Sequence, residues 1–283
     1  MEEARSWKEI STSPLYLFLI GPEKKEFNIH TAIITKLSPV LEVFVNDTRF
    51  KEANEGQADL KDVDEETFTS FVEYAYTGNY KPSFPSSQSP ETPQEVARED
   101  DDWGLGSPRN NKLYRRRNQP QQQVSPIGQW GRACNCGYNH WATFDAIVES
   151  HHPPSYTPAL STGTAALTAD VPMILLHHAH LYVFADCYQI PRLAKMALFS
   201  LGRQLQETKQ QPTQEVSAEG IVRLLKFCYE EPRTEELRSL VAKYAACSAE
   251  RLWNDASFKA LLKAHAELGA DLVEEMVKRM NKF

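Results

Sequence analysis

The run Phe27-Asn28-Ile29-His30-Thr31-Ala32-Ile33-Ile34-Thr35-Lys36-Leu37-Ser38-Pro39-Val40-Leu41 decides the fold, because it carries the chain from a strand end into two helices. Upstream of it, Leu15 to Ile20 is rich in strand-forming residues and ends in Gly21-Pro22, so a turn leads into a second strand around Glu26 to Ile29 and makes a hairpin. Downstream, Ala32, Ile33 and Leu37, then Val40, Leu41 and Phe44, fall at helical spacing. Proline is tolerated in a first helical turn and not in an interior one, so Pro39 opens a second short helix. Asp59 to Val63 reads as a short strand, and Asp64 caps a helix whose first turn holds Glu65 and Glu66, both favoured by the positive end of the helix dipole. Phe68, Phe71, Val72 and Ala75 give that helix one buried face, and Gly78 stops it.

The rest of the chain divides by composition. Residues 81 to about 128 begin with the spaced prolines Pro82, Pro85, Pro90 and Pro93 and go on to the acidic run Glu99 to Asp102 and the glutamine-rich stretch Gln119 to Gln123. Such a stretch has too few apolar residues to offset the entropy of ordering it, so disorder is expected. Trp141, Phe144, Ile147 and Val148 lie at near-helical spacing inside the same insertion, which runs from residue 81 to 170. Surface loops tolerate length because closure entropy grows slowly, so removing residues 83–168 is expected to leave a folded chain. From Val171 the pattern is helical, with Leu181, Phe184, Ala185 and Tyr188 on one face, then Leu193, Ala197, Leu201 and Leu205 every fourth residue. Gln206 to Gln214 reads as a polar linker, and four apolar stripes, beginning at Ile221, Leu237, Phe258 and Leu272, predict a helical domain over residues 213–283.

Hairpin, helix pair, strand, capped helix and the turn Tyr76-Thr77-Gly78-Asn79-Tyr80 resemble, in that order, the BTB/POZ domain. Phe27-x-x-His30, Leu37-Ser38-Pro39-Val40-Leu41 and Asp64-Glu65-Glu66-Thr67-Phe68 carry the likeness over residues 15–80. His178 to Ile190 with Leu193 looks like the helix pair that closes the same domain. The arrangement is similar to short BTB proteins of filamentous fungi. The resemblance implies an α+β fold: a first BTB part over 1–80, the insertion over 81–170, closing helices over 171–206 and a helical C-terminal region. It also implies a non-catalytic module that binds other proteins.

Two sets of partner-binding residues follow from the same likeness. Phe50-Lys51-Glu52 matches, at Phe50 and Glu52, the hydrophobic-x-glutamate triplet that cullin-binding BTB proteins carry in a loop. There the apolar residue fills a cullin pocket and the carboxylate guides approach; the plainer reading packs Phe50 on its own core and leaves Glu52 solvated. BTB homodimers bury the N-terminal segment, which places Trp7 and Ile10 at a dimer contact. The aspartate that usually precedes the first strand, and pairs with a basic residue in a charged groove, is replaced here by Ser13-Pro14, and Lys36 lies one residue early.

Net charge and composition narrow the classes further. A formal charge of −7 opposes attraction of the whole chain to nucleic acid or anionic lipid, though Lys112-Leu113-Tyr114-Arg115-Arg116-Arg117 is a local basic run. That run serves either as a solvated loop or as a nuclear import or phosphate-contact signal, which keeps a nuclear regulator among the alternatives. The N-terminus lacks a signal-peptide apolar core and no stretch approaches the roughly 20 apolar residues that span a bilayer, so an intracellular protein is expected. Cys134, Cys136, His140, His151 and His152 lack the ligand spacing of zinc frameworks, and no metal or other cofactor is expected. His177 and His180 share a helix face but lack a placed carboxylate or cysteine, and no phosphate loop, nucleophile elbow or paired-carboxylate signature occurs, so an enzyme is not expected.

Overall fold

The computed structural model describes residues 7–82, 140–153, 171–210, 218–231 and 235–280. β1 (Leu15–Ile20) is the middle strand, antiparallel to β2 (Lys25–His30) and parallel to β3 (Gln57–Leu60). Its side chains alternate: Tyr16, Phe18 and Ile20 are buried, while Leu15 is exposed. The third strand begins and ends earlier than the sequence suggested. Its pairing runs out at Ile20 opposite Leu60, so Asp62 and Val63 have no strand beside them and turn instead toward the next helix.

Around the sheet lie α1 (Trp7–Thr12), α2 (Thr31–Leu37), α3 (Pro39–Asn46), α4 (Lys51–Glu55) and α5 (Glu65–Thr77). Ser38 ends α2 and begins α3: its extended backbone breaks the helix, and its hydroxyl accepts from the Leu41 amide at 2.9 Å. Asp64 caps α5 as the sequence indicated, accepting from the Thr67 amide at 2.7 Å and the Thr67 hydroxyl at 2.8 Å. Gly78, with φ at 77°, ends it. The loop expected at Lys51-Glu52 is instead the single turn of α4, which closes at left-handed Gly56.

The remaining helices are α6 (His140–Ser150), α7 (Val171–Cys187), α8 (Pro191–Gln210), α9 (Ala218–Glu230), α10 (Glu235–Cys247), α11 (Ala249–Leu252), α12 (Ala256–Ala264) and α13 (Ala266–Met280). All described residues belong to one compact unit. The expected single buried face of α7 is a correction, because this helix is covered on nearly every side: Leu175, Ala179, Leu181 and Ala185 are fully buried between α5, α8 and α9. The C-terminal helices therefore share the core of the sheet-bearing part instead of standing behind a linker. The linker read from Gln206 is also displaced, since α8 continues to Gln210 and buries Thr208, whose hydroxyl lies 2.9 Å from that of Tyr244.

The proposed insertion ends sooner than its composition implied. The expectation of disorder over residues 83–139 lies outside the described residues, but α6 belongs to the core. Phe144 and Val148 are 0% and 1% exposed, and Trp141 and Phe144 set their rings 5.7 and 5.6 Å from that of Tyr244 on α10. Gly202 on α8 permits the approach, because a Cβ there would stand 2.7 Å from a stiff, β-branched Val148 methyl. A deletion of 83–168 thus removes core side chains, against the sequence-based expectation.

Polar fastening between α5 and α7 completes the core. His177 Nε2 lies 3.0 Å from the Ser70 hydroxyl, His178 Nδ1 2.9 Å from the Tyr80 hydroxyl, and His180 Nδ1 3.1 Å from the Asp64 carboxylate. Burial holds His177 and His178 in the neutral form, and His178 falls to about 3. Burial alone would raise Asp64, but hydrogen bonds from His180 and Thr67 outweigh it and hold the carboxyl below its usual range.

Two outcomes are expected. Phe144→Ala lowers unfolding free energy by about 3–5 kcal/mol in urea titration, and a loss under about 1 kcal/mol would show that α6 is not docked. Because His178 has a depressed folded pKa, the unfolded chain takes up its proton first. Its contribution is therefore complete above about pH 6.5 and declines as pH falls toward the folded value. The urea midpoint should drop between pH 7 and pH 5, with about 2 kcal/mol lost through His178 alone; a flat profile over that window contradicts the assignment.

Candidate functional site

The corner between α3 and α4 presents the residues picked out from the sequence. Asp47 ends α3, and its carboxylate takes a two-pronged contact from Arg49, Nε to Oδ1 at 2.9 Å and Nη2 to Oδ2 at 2.6 Å. Those hydrogen bonds hold the Asp47 carboxyl down at about 2. The Phe50 amide donates to the Asp47 carbonyl at 3.0 Å, and Asn54 Nδ2 reaches back to the Thr48 and Phe50 carbonyls at 2.7 and 2.9 Å. Every residue from Asp47 to Phe50 is thereby tied into one compact turn.

The corner is also pinned from below. Tyr16 on β1 sends its hydroxyl outward to donate to the Glu52 carbonyl at 3.0 Å and the Phe44 carbonyl at 3.2 Å. Burial first, and the Glu52 charge second, push the Tyr16 phenol up to about 12, so it stays a donor throughout the physiological range. On this support Phe50 is 46% exposed, and Val43 on α3 is 37% exposed. Glu52 is half-buried in the first turn of α4. A shallow groove lined by Glu42, Val43, Asn46, Asp47, Thr48 and Arg49 runs along the same corner. A turn fixed by hydrogen bonds that displays an aromatic ring meets a partner without first losing conformational freedom. The plainer expectation, that Phe50 packs into its own core, does not describe this exposure.

The other sequence-derived candidates fall elsewhere. Of the pair assigned to a dimer contact, Trp7 is 65% exposed, whereas Ile10 is 4% exposed and packs into the core of its own chain. Lys36 reaches α1 and pairs with Glu9 at 2.8 Å. His140 opens α6 and His151 follows its last residue. Cys134, Cys136 and the basic run Lys112 to Arg117 lie outside the described residues. Ser70 and His177 make a serine–histidine contact, but both are buried, at 1% and 5% exposure, and they serve the α5–α7 seam. Among the described residues no group of histidines, cysteines and carboxylates has the geometry to hold a metal ion. No described helix is long and apolar enough to cross a membrane.

Sequence reasoning missed Tyr16 as the support of the corner. Its signal was present, as a tyrosine at a core-facing position of an alternating strand, since a buried phenol must find a hydrogen-bond partner. Which partner it finds depends on the return of the chain from α3 to β3.

No curated protein matches the chain. The sequence model of the BTB/POZ domain matches residues 17–98, from within β1 through α5 and beyond. That match coincides with the three-stranded sheet, the Ser38-broken helix pair and the Asp64-capped helix. The chain therefore carries an α+β BTB/POZ domain, a protein–protein interaction module, whose core continues into a helical C-terminal region.

Proposed function

We propose that the chain is a non-catalytic substrate adaptor that docks on a cullin-type scaffold through the α3–α4 corner. The exposure of Phe50 on a turn pinned by Tyr16 carries this reading. The Phe50 ring supplies the apolar anchor, Val43 widens the apolar contact, and Glu52 guides approach as a rim carboxylate. The competing readings are a nuclear regulator and a plain interaction scaffold.

Truncating a buried interface aromatic typically costs about 2 kcal/mol or more. In a pull-down of purified cullin N-terminal domain, Phe50→Ala should therefore lose detectable capture while its melting temperature stays close to that of wild type. Glu52→Ala should weaken capture less, because a rim charge acts mainly on the rate of approach. Equal retention of cullin by wild type and Phe50→Ala would remove the adaptor reading.

Self-association is a second reading, favoured by the exposure of Trp7 at the N-terminal helix. Light scattering should then give a dimer mass that reverts toward monomer in Trp7→Ala; a monomer mass for wild type at all concentrations rejects it.

A further inference from the structure

Away from that corner, the outer side of α12 combines an exposed aromatic ring with lysines that have no carboxylate partner. Trp253, in the turn between α11 and α12, is 58% exposed, and the Lys259 ammonium stands over its ring, 5.1 Å from the centroid. Lys263 follows Lys259 by four residues, so it lies on the same side of α12, and it is exposed. Ala256 and Ala260 are also exposed, leaving a low apolar floor between the ring and the second lysine.

The charge of this face is one-sided. From Ala256 to Ala264 the helix carries two lysines and no acidic residue. Asp255, just before the helix, caps α12, accepting from the Ser257 and Phe258 amides at 2.7 and 3.3 Å. Other exposed lysines divide: Lys36, Lys226 and Lys278 pair with Glu9, Glu230 and Glu274, whereas Lys8, Lys81 and Lys195 form no ion pair among the described residues. Among the described residues, neither Lys259 nor Lys263 has a carboxylate within ion-pair reach. Lys263 alone would suit the negative end of its helix. Lys259, in mid-helix and held by the indole face, has no such explanation.

We propose that this face docks an acidic peptide segment of a partner protein, with carboxylates on Lys259 and Lys263 and an apolar side chain on the alanine floor against Trp253. Cation–π contact already orders Lys259 and the indole, which lowers the entropy lost on binding. A short peptide fits better than a nucleic acid or an anionic bilayer. The chain carries a net charge of −7, which repels an extended polyanion, whereas screening beyond about 8–10 Å lets a short segment respond to the local face alone. The site is independent of whether the α3–α4 corner binds a cullin.

Fluorescence anisotropy with the full chain tests the proposal, using a labelled peptide of alternating aspartate and leucine as probe and a lysine–leucine peptide as control. The acidic probe should bind and weaken as salt rises. Trp253→Ala should reduce affinity roughly tenfold or more, the double variant Lys259→Glu/Lys263→Glu should abolish binding, and Lys61→Glu on a distant surface should leave it unchanged. Thermal melts confirm that each variant is folded. Failure of wild type to bind, or equal binding by all variants, overturns the proposal. Retention on phosphatidylserine vesicles or a single-stranded oligonucleotide, lost in the same variants while the acidic peptide does not bind, assigns the face to a polyanion instead.

Discussion

The burial of α7 is the constraint on which the rest of the structure depends. A helix covered on nearly every side cannot leave polar side chains unsatisfied, yet α7 carries His177, His178 and His180. The α5 cap, the middle of α5 and the segment just beyond it supply Asp64, Ser70 and Tyr80 at hydrogen-bond distance. One helix thus fastens α5 on one side while accepting α8 and α9 on the other. Each fully buried large apolar side chain contributes roughly 1.5–3 kcal/mol, and the histidine contacts select the rotation of α7 that makes this burial attainable.

The same arrangement explains why a long stretch of sequence can separate α5 from α7 without dividing the core. The two helices meet directly, and their contacts do not pass through the residues between them. Within that stretch α6 adds to the interior, where Phe144 and Trp141 complete an aromatic cluster with Tyr244. The polar contact from Gln206 Nε2 to Asp145 Oδ1, at 2.9 Å, fixes α6 against α8.

Stability and recognition meet at Tyr16. Its ring is part of the sheet's buried face, and its hydroxyl reaches carbonyls at the end of α3 and in α4. The interior therefore sets the position of an exposed turn, and Phe50 is displayed by a core residue distant in sequence. The α12 face is built differently, from a local cation–π contact within one helix–turn segment.

Local rules were sufficient for much of the BTB part. Alternation in β1, the Ser38-Pro39 break, the Asp64 cap and the Gly78 stop each depend on neighbours a few residues away, so the sequence alone determined those elements. It also contained the apolar stripes of the C-terminal helices. Tertiary structure decided what covers each stripe. The near-helical spacing of Trp141, Phe144, Ile147 and Val148 is visible in the sequence, but the burial of Phe144 comes from Tyr244, a hundred residues later, and from the space left by Gly202. Val63 falls out of β3 because β1 ends at Ile20, and Thr208 joins α8 because Tyr244 offers its hydroxyl. Exposure of Phe50 and Trp253 likewise follows from which helices pack beneath them, and side-chain chemistry in a linear sequence does not contain that information.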